Sequence, residues 1–219
     1  MNDVQFSAVI FDLDGTLLDT ERLVVQAGLD TFADFGLPPR PGLLAQMVGT
    51  TGEDGVAEVR REMGDMVDVD AFMAAWDAAV HTALTGPIPL RPGVTELLDA
   101  LDRGGLPRAI ATNSRTHAAH RSLGLAGLAH RFDPAHVHGR DRVARPKPAP
   151  DLFLHAAQGL GADPTRCLVF EDSDPGTAAA LAAGMTVVQV PDQRPAGTRD
   201  AHVIAGSLLE GARALGLLD

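Results

Sequence analysis

The chain has 219 residues, more than one average domain and fewer than two, and 45% of its residues are apolar. Its net charge of −11 and pI near 5.0 argue against a nucleic-acid or anionic-membrane surface, because such surfaces need basic patches. No apolar run approaches the roughly 20 residues that span a bilayer, and the N-terminus lacks a signal-peptide pattern. We therefore expect a cytoplasmic protein, and nothing in the composition demands more than a monomer.

The first predicted element is a buried strand at residues 7–11, followed by Asp12-Leu13-Asp14-Gly15. In open α/β sheets, ligands bind beyond the carboxyl ends of the strands. Two residues of extended chain span about 6.5 Å, so Asp12 and Asp14 can face opposite sides of one small substrate group. One carboxylate could attack while the other handles a proton. Alone, these residues fit an ordinary Asp- and Gly-rich turn equally well.

From Thr20 to about Leu84 the apolar spacing is helical and strands are absent. Four helices are predicted, with apolar positions starting near Val25, Leu43, Val56 and Met73. The Met and Trp positions of the fourth helix are typical of packing rather than of a ligand platform. We therefore predict a small all-helical module inserted directly after the first strand.

From residue 89 onward, predicted strands alternate with predicted helices. The strands cover residues 108–112, 135–138, 167–170 and 186–190. The helices begin near residues 94, 115, 152, 173 and 206, and Ser173 opens the fourth of them with Pro175 in its first turn. Alternation of this kind is typical of βαβ units, which build a parallel sheet with helices on both faces. The single Cys167 lies in a strand-like run, where we expect a buried inert thiol.

Polar residues follow the strand at 108–112, and a lysine lies in a later proline-rich loop. Thr112, Asn113 and the first turn of the next helix offer a hydroxyl and free N–H groups to phosphate oxygens, although an ordinary N-cap has the same residues. Lys147 is the one lysine beside 17 arginines, and the prolines around it fix its loop. We therefore expect a functional ammonium there.

Two acids, Glu171 and Asp172, follow the strand at 167–170. They supply the hard oxygen ligands that suit Mg²⁺, although acids also complement a helix N-terminus. Because the carboxyl ends of parallel strands meet at one edge, separate parts of the chain are predicted to converge at the same edge of the sheet. The converging residues are Asp12, Asp14, Thr112, Lys147, Glu171 and Asp172.

The chain resembles the haloacid dehalogenase-like (HAD) superfamily in the order and spacing of its four motifs. They are Asp12-Leu13-Asp14-Gly15-Thr16, Thr112, Lys147 and Glu171-Asp172. Residues 147–151 and 170–173 resemble those of its β-phosphoglucomutase-like and sugar-phosphate phosphatase subgroup. The resemblance implies an α/β fold with a Rossmann-like parallel sheet core, helices on both faces and an inserted all-helical cap domain. The core would comprise residues 1–18 and 88–219, and the cap residues 19–87.

The resemblance also implies an Mg-dependent phosphatase whose partner is a small phosphorylated metabolite, namely a sugar, polyol or glycolate phosphate. Asp12 would attack phosphorus and become an aspartyl phosphate, while Asp14 would protonate the leaving oxygen and then activate water. Mg²⁺ would be held by Asp12, Asp172 and the Asp14 carbonyl, with Glu171 a ligand or a neighbour of one. The phosphoryl group would be bound by Thr112, the Asn113 backbone and Lys147.

Other relatives are distinguished by single residues. Dehalogenases lack the acid at the position of Asp14, and phosphonate-cleaving relatives need a cap lysine, which residues 19–87 do not contain. β-Phosphoglucomutase-type transfer stays open, although residues 48–53 and Val24 stand where the mutase has a basic loop and a histidine. An alternative of another class is a non-enzymatic receiver-like phospho-switch. Receivers lack both a second acid and a large helical insertion.

Eight histidines are irregularly spaced. Among them are His117, His120, His130, His136 and His138. We expect these side chains on the surface rather than around a second metal ion.

Overall fold

The structure, a computed structural model, describes residues 6–47, 52–64, 66–192 and 195–218. It divides into two compact units, one formed by Met1–Asp19 with Ile88–Asp219 and the other by Thr20–Pro87. Within the described ranges, no helix combines the length and the apolar character needed to cross a membrane.

The first unit is built on a parallel sheet. In the described part of the chain its strands are β1 (Ala8–Phe11), β2 (Arg108–Thr112), β3 (Val137–Gly139), β4 (Cys167–Glu171), β5 (Thr186–Gln189) and β6 (Val203–Ile204). Their order across the sheet is β3-β2-β1-β4-β5-β6. In β1, Val9 pairs with Arg108 of β2 and Leu168 of β4, so the first strand lies between both strands that carry later motif residues.

Helices lie between most of the strands, and a last helix follows β6. They are α1 (Thr20–Asp34), α2 (Pro41–Met47), α3 (Gly52–Met63), α4 (Val69–Ala83), α5 (Val94–Gly104), α6 (Thr116–Leu125), α7 (Asp151–Gly159), α8 (Asp174–Ala182) and α9 (Leu208–Ala214). Successive β1 side chains point to opposite faces of the sheet and are buried on both, which is typical of a strand covered by helices. Ile10 joins a cluster with Phe153 of α7, while Phe11 stacks on Phe170 with ring centroids 5.4 Å apart. The predicted α/β fold class is confirmed.

The second unit consists of α1 to α4 around its own apolar core. The rings of Phe32 and Phe72 meet with centroids 5.0 Å apart. Trp76 is buried, and its Nε1 donates to the Val24 carbonyl oxygen at 3.1 Å, which confirms its predicted packing role. Val24, which stands where the mutase has a histidine, thus packs against this apolar core. Residues 48–51, part of the segment that was compared with the basic loop of the mutase, lie outside the described residues.

His138 is a correction to the sequence analysis, because it is only 5% exposed instead of lying on the surface. Its strand, β3, pairs with β2 and is covered by α7, and its ring packs against that of His155 with centroids 4.8 Å apart. Burial, with smaller effects from His155, His136 and Arg142, lowers the pKa of His138 to about 4. A strand as short as β3 has no periodicity from which its buried face could be read.

Candidate active site

Three charged side chains meet in the interior at the carboxyl ends of β1 and β4. Lys147 Nζ donates to Asp12 Oδ1 at 2.6 Å and to Glu171 Oε1 at 2.8 Å. The Lys147 side chain is only 2% exposed, and both carboxylates are buried. The ammonium also lies 4.6 Å from the centroid of the Phe153 ring, a distance at which the ring face attracts a cation. The lysine is therefore held on several sides, and it faces the residue predicted as the nucleophile.

The charges of these three groups shift the pKa values of Asp12 and Lys147. Burial raises the pKa of Asp12 to about 8, and Glu171 and Asp14 add to this effect while the Lys147 ammonium opposes it. Burial alone would lower the pKa of Lys147, but the carboxylates of Asp12 and Glu171 outweigh it and raise that pKa. One ammonium thus serves two buried carboxylates. A bound cation beside Asp12 would lower the pKa of its carboxyl and favour the ionised form.

The Lys147 loop is fixed by the side chain of Asn113. Asn113 Nδ2 donates to the Lys147 carbonyl oxygen at 3.2 Å, and the Lys147 N–H donates to Asn113 Oδ1 at 3.1 Å. Asn113 was predicted to act through its backbone, and the structure gives its side chain this further function. The reciprocal pair joins the end of β2 to the loop that carries the ammonium.

Glu171 is held on its other oxygen by the start of α8. Its Oε2 accepts from the Ser173 N–H at 2.7 Å and from Ser173 Oγ at 2.8 Å. A side chain at Gly176 would run into the Glu171 carboxylate, so glycine lets this helix turn close over it. Glu171 therefore complements a helix N-terminus and also anchors Lys147, and the two readings of the acid pair are compatible.

Asp172 is positioned by the turn after β1. Thr16 Oγ1 donates to Asp172 Oδ1 at 3.1 Å. Gly15 has φ +84°, and a Cβ there would lie 2.6 Å from Asp172 Oδ2, so this position requires glycine twice over. Asp12, Glu171 and Asp172 each present an oxygen within 4.8 Å of the others and form an acidic cluster that can hold a metal ion.

Asp14 and Thr112 are linked through Ser114. Ser114 Oγ donates to Asp14 Oδ2 at 2.8 Å, and the Ser114 N–H donates to Thr112 Oγ1 at 3.0 Å. Because the Thr112 oxygen accepts this bond, its own hydroxyl hydrogen can be donated elsewhere. All of the predicted site residues thus fall into one connected region at the carboxyl edge of the sheet.

One local expectation is corrected here. Helix α6 begins at Thr116, and its first N–H donates to Asp141 Oδ1 at 2.7 Å rather than standing free for a phosphate oxygen. The Thr116 hydroxyl donates to the same carboxylate oxygen at 3.0 Å. Asp141 follows β3, and no local pattern around it predicts that it reaches the start of α6. Ser114 was missed for the same reason, since its partner Asp14 lies 100 residues away.

The chain is similar to known proteins over most of its length. Residues 9–190 match the family model described as haloacid dehalogenase-like hydrolase. Protein CbbY of Rhodobacter capsulatus is 38% identical, with 87% of each chain covered. Fructose-1-phosphate phosphatase YqaB of Escherichia coli is 35% identical, with 85% of this chain and 97% of the relative covered. A crystal structure of a HAD family hydrolase from Deinococcus radiodurans, with bound phosphate and sodium, has 33% identity and a TM-score of 0.86 over 99% of both chains.

Proposed function

The chain belongs to the haloacid dehalogenase-like hydrolases, and we propose that it is an Mg²⁺-dependent phosphatase that hydrolyses a small phosphorylated metabolite. The observation that carries the proposal is the contact of the Lys147 ammonium with Asp12 at 2.6 Å. Asp12 also belongs to the acidic cluster, and Asp14 follows it two residues later in the same turn. A nucleophile, a cation and a proton carrier are thereby gathered at one sheet edge. Phosphoryl transfer depends mainly on such positioning and on charge neutralisation.

The residues present fit a divalent cation. Asp12, Glu171 and Asp172 offer three hard oxygen donors, and the one ammonium shared by Asp12 and Glu171 leaves an excess of negative charge for a cation to neutralise. We propose that Asp12 and Asp172 hold Mg²⁺ with the Asp14 carbonyl, and that Glu171 stands beside them as the anchor of Lys147. When bound, the ion neutralises charge on the phosphoryl oxygens.

In this proposal each of these side chains has its own role in the two phosphoryl transfers. An Asp12 oxygen attacks phosphorus as Asp14 gives a proton to the leaving oxygen, which produces an alcohol and an aspartyl phosphate. Asp14 next takes a proton from water, whose oxygen attacks phosphorus and releases inorganic phosphate and the Asp12 carboxylate. Lys147 and the Thr112 hydroxyl bind the transferring phosphoryl oxygens throughout.

We place the substrate among sugar and polyol phosphates, with phosphoglycolate as a further member of the class. The name of the similar YqaB protein, a fructose-1-phosphate phosphatase, supports a small sugar ester. We also propose that the protein acts as a monomer in the cytoplasm. A reducing compartment suits the single buried cysteine, and the net negative charge does not favour nucleic acid or anionic membranes as partners.

The test is phosphate release from p-nitrophenyl phosphate and a panel of sugar, polyol and glycolate phosphates, with and without Mg²⁺. Asp12→Asn is expected to lower kcat about a thousandfold or more, because the amide cannot form the acyl phosphate. Asp133→Asn removes the same charge at an exposed position and serves as the matched control. Equal activity of Asp12→Asn and the parent would show that Asp12 is not the nucleophile.

The acceptor of the phosphoryl group, water or a sugar hydroxyl, distinguishes hydrolysis from the mutase alternative. We expect the phosphoryl group of a sugar monophosphate to appear as inorganic phosphate. Its appearance as an isomeric sugar phosphate in the same assay would support phosphoryl transfer instead. A stable phosphoprotein without turnover would support the receiver-like alternative.

A further inference from the structure

We propose that Ser114 is a positioning residue for Asp14. The Ser114 hydroxyl holds one carboxyl oxygen of Asp14 and thereby orients the carboxyl group that exchanges protons with the leaving oxygen and with water. This inference rests on the proposed function, because it concerns the acid and base steps of phosphate ester hydrolysis. Ser114 Oγ lies 2.8 Å from Asp14 Oδ2, and both side chains are half-buried.

Ser114 can direct Asp14 because its own backbone is fixed at two points. Its N–H donates to Thr112 Oγ1 at 3.0 Å, and its carbonyl oxygen accepts from the Arg140 N–H at 3.0 Å. Gly139 ends β3 directly against this loop, and a Cβ there would lie 2.6 Å from the Ser114 carbonyl oxygen. The hydroxyl is thus placed by the ends of two paired strands, and groups supported by rigid strands hold a partner more accurately than groups on free loops.

The hydrogen bond serves both halves of the reaction. When Asp14 is protonated, the Ser114 hydrogen on Oδ2 favours the proton on Oδ1. That proton passes to the leaving oxygen as the Asp12 oxygen bonds to phosphorus and the ester bond breaks. When Asp14 is a carboxylate, Ser114 still donates to Oδ2, and Oδ1 takes a proton from the attacking water as the bond between Asp12 and phosphorus breaks. Ser114 itself neither gains nor loses a proton, so its contribution is orientation.

Leaving-group dependence tests this role. Ethyl phosphate and 2,2,2-trifluoroethyl phosphate have similar sizes, but ethoxide is a far stronger base and needs protonation much more. Ser114→Ala is expected to lower kcat/KM for the ethyl ester about tenfold more than for the fluorinated ester, because kcat/KM reports the first phosphoryl transfer, in which the leaving oxygen departs. Ser114→Thr keeps a hydroxyl and is expected to restore the parent ratio. Ser122→Ala removes a hydroxyl from α6 outside the site and is the matched control.

The outcomes are distinguishable from a failure of the proposed function. Equal losses on the two esters, or no loss, would overturn the role of Ser114 while leaving the phosphatase proposal intact. Hydrolysis of neither ester, nor of p-nitrophenyl phosphate or any sugar, polyol or glycolate phosphate of the panel, by the unchanged protein with Mg²⁺ would refute the phosphatase proposal and this inference with it. Circular dichroism monitors folding, and Ser114→Cys, a weaker donor of similar size, repeats the comparison should Ser114→Ala unfold.

Discussion

Lys147 is the cation shared by the buried carboxylates of Asp12 and Glu171, and its removal tests how much this ion pairing stabilises the fold. Lys147→Met keeps the length of the side chain but leaves Asp12 and Glu171 facing each other without the ammonium. Without divalent ions, the free energy of unfolding is expected to fall by about 3 to 5 kcal/mol, the usual cost of breaking a buried ion pair. Added Mg²⁺ is expected to recover part of this loss, because an ion that binds only the folded state stabilises it.

Denaturant titration with and without Mg²⁺ measures both effects. Arg145→Met in the same loop is the matched control, since the Arg145 side chain is 72% exposed in its ion pair with Asp151. An exposed pair of this kind contributes about 0 to 1 kcal/mol. Equal small losses in the two variants would show that the buried ammonium does not stabilise the fold.

Gly15 lies directly beside Asp172, so a side chain at this position is expected to affect metal binding. Gly15→Ala would add a methyl group 2.6 Å from Asp172 Oδ2 at a φ of +84°, so we expect Asp172 to be displaced. The Mg²⁺ concentration for half-maximal phosphatase activity is expected to rise about tenfold or more, measured by magnesium titration of the initial rate.

Gly36→Ala is its control, because Gly36 also has a positive φ, +66°, but no atom lies within 4 Å of the added methyl group. It is expected to cost about 1 kcal/mol of stability and leave the magnesium titration unchanged. A similar shift in both variants would assign the effect of Gly15→Ala to backbone strain instead.

At the scale of residues, the sequence revealed groups whose type alone indicates chemistry. Asp12 and Glu171 could be selected because charged residues followed apolar strands, and Lys147 because it is the one lysine and lies in a proline-rich loop. The structure brings the three together. Ser114 and the Asn113 side chain could not be selected in this way. Their functions depend on partners 100 and 34 residues away, and only the folded sheet edge sets those distances.

The buried His138 of strand β3 predicts that the free energy of unfolding decreases at acidic pH. The pKa of His138 is about 4 in the folded protein and about 6.5 when unfolded, so the unfolded chain binds more protons between these values. Stability contributed by the neutral ring is therefore complete above pH 6.5 and is lost as the pH falls toward 4. His138→Gln is expected to lose about 3 kcal/mol less than the parent over this interval.

Unfolding free energies measured at several pH values check this difference. His130→Gln provides the control, because His130 is exposed in the turn after α6. Parallel pH curves for the parent and His138→Gln would contradict the assignment of acid sensitivity to β3.

At the scale of elements, long periodic segments were predictable and short ones were not. Helix α5 and strand β2 agree with their predictions because several apolar positions repeat at the expected spacing. Strand β6 was not predicted, since its two residues show no period and its existence depends on pairing with β5. The start of α8 was predictable from residue type, because a serine followed by a proline in the first turn indicates a helix N-terminus, and Ser173 caps the helix that begins at Asp174.

At the scale of the whole molecule, the ends of the helical insertion are joined within the first unit. The Asp19 N–H donates to the Pro89 carbonyl oxygen at 2.9 Å, and Leu18 forms a bridge with Leu90. We propose that this junction makes the first unit an independent domain, with the insertion as the cap. All of the predicted site residues belong to this unit, so its chemistry should not need the insertion to fold.

Replacing residues 20–87 by a short glycine turn tests the proposed division. A turn of about two to four residues can join paired segments, and the sheet, α5 to α9 and the acidic cluster all lie outside the excised range. The shortened protein is expected to unfold cooperatively and to hydrolyse p-nitrophenyl phosphate with Mg²⁺, because Asp12, Asp14 and Lys147 keep their supports. The same excision in Asp12→Asn controls for background hydrolysis. A shortened chain without cooperative unfolding would show that the insertion is part of the folding unit rather than a domain added to it.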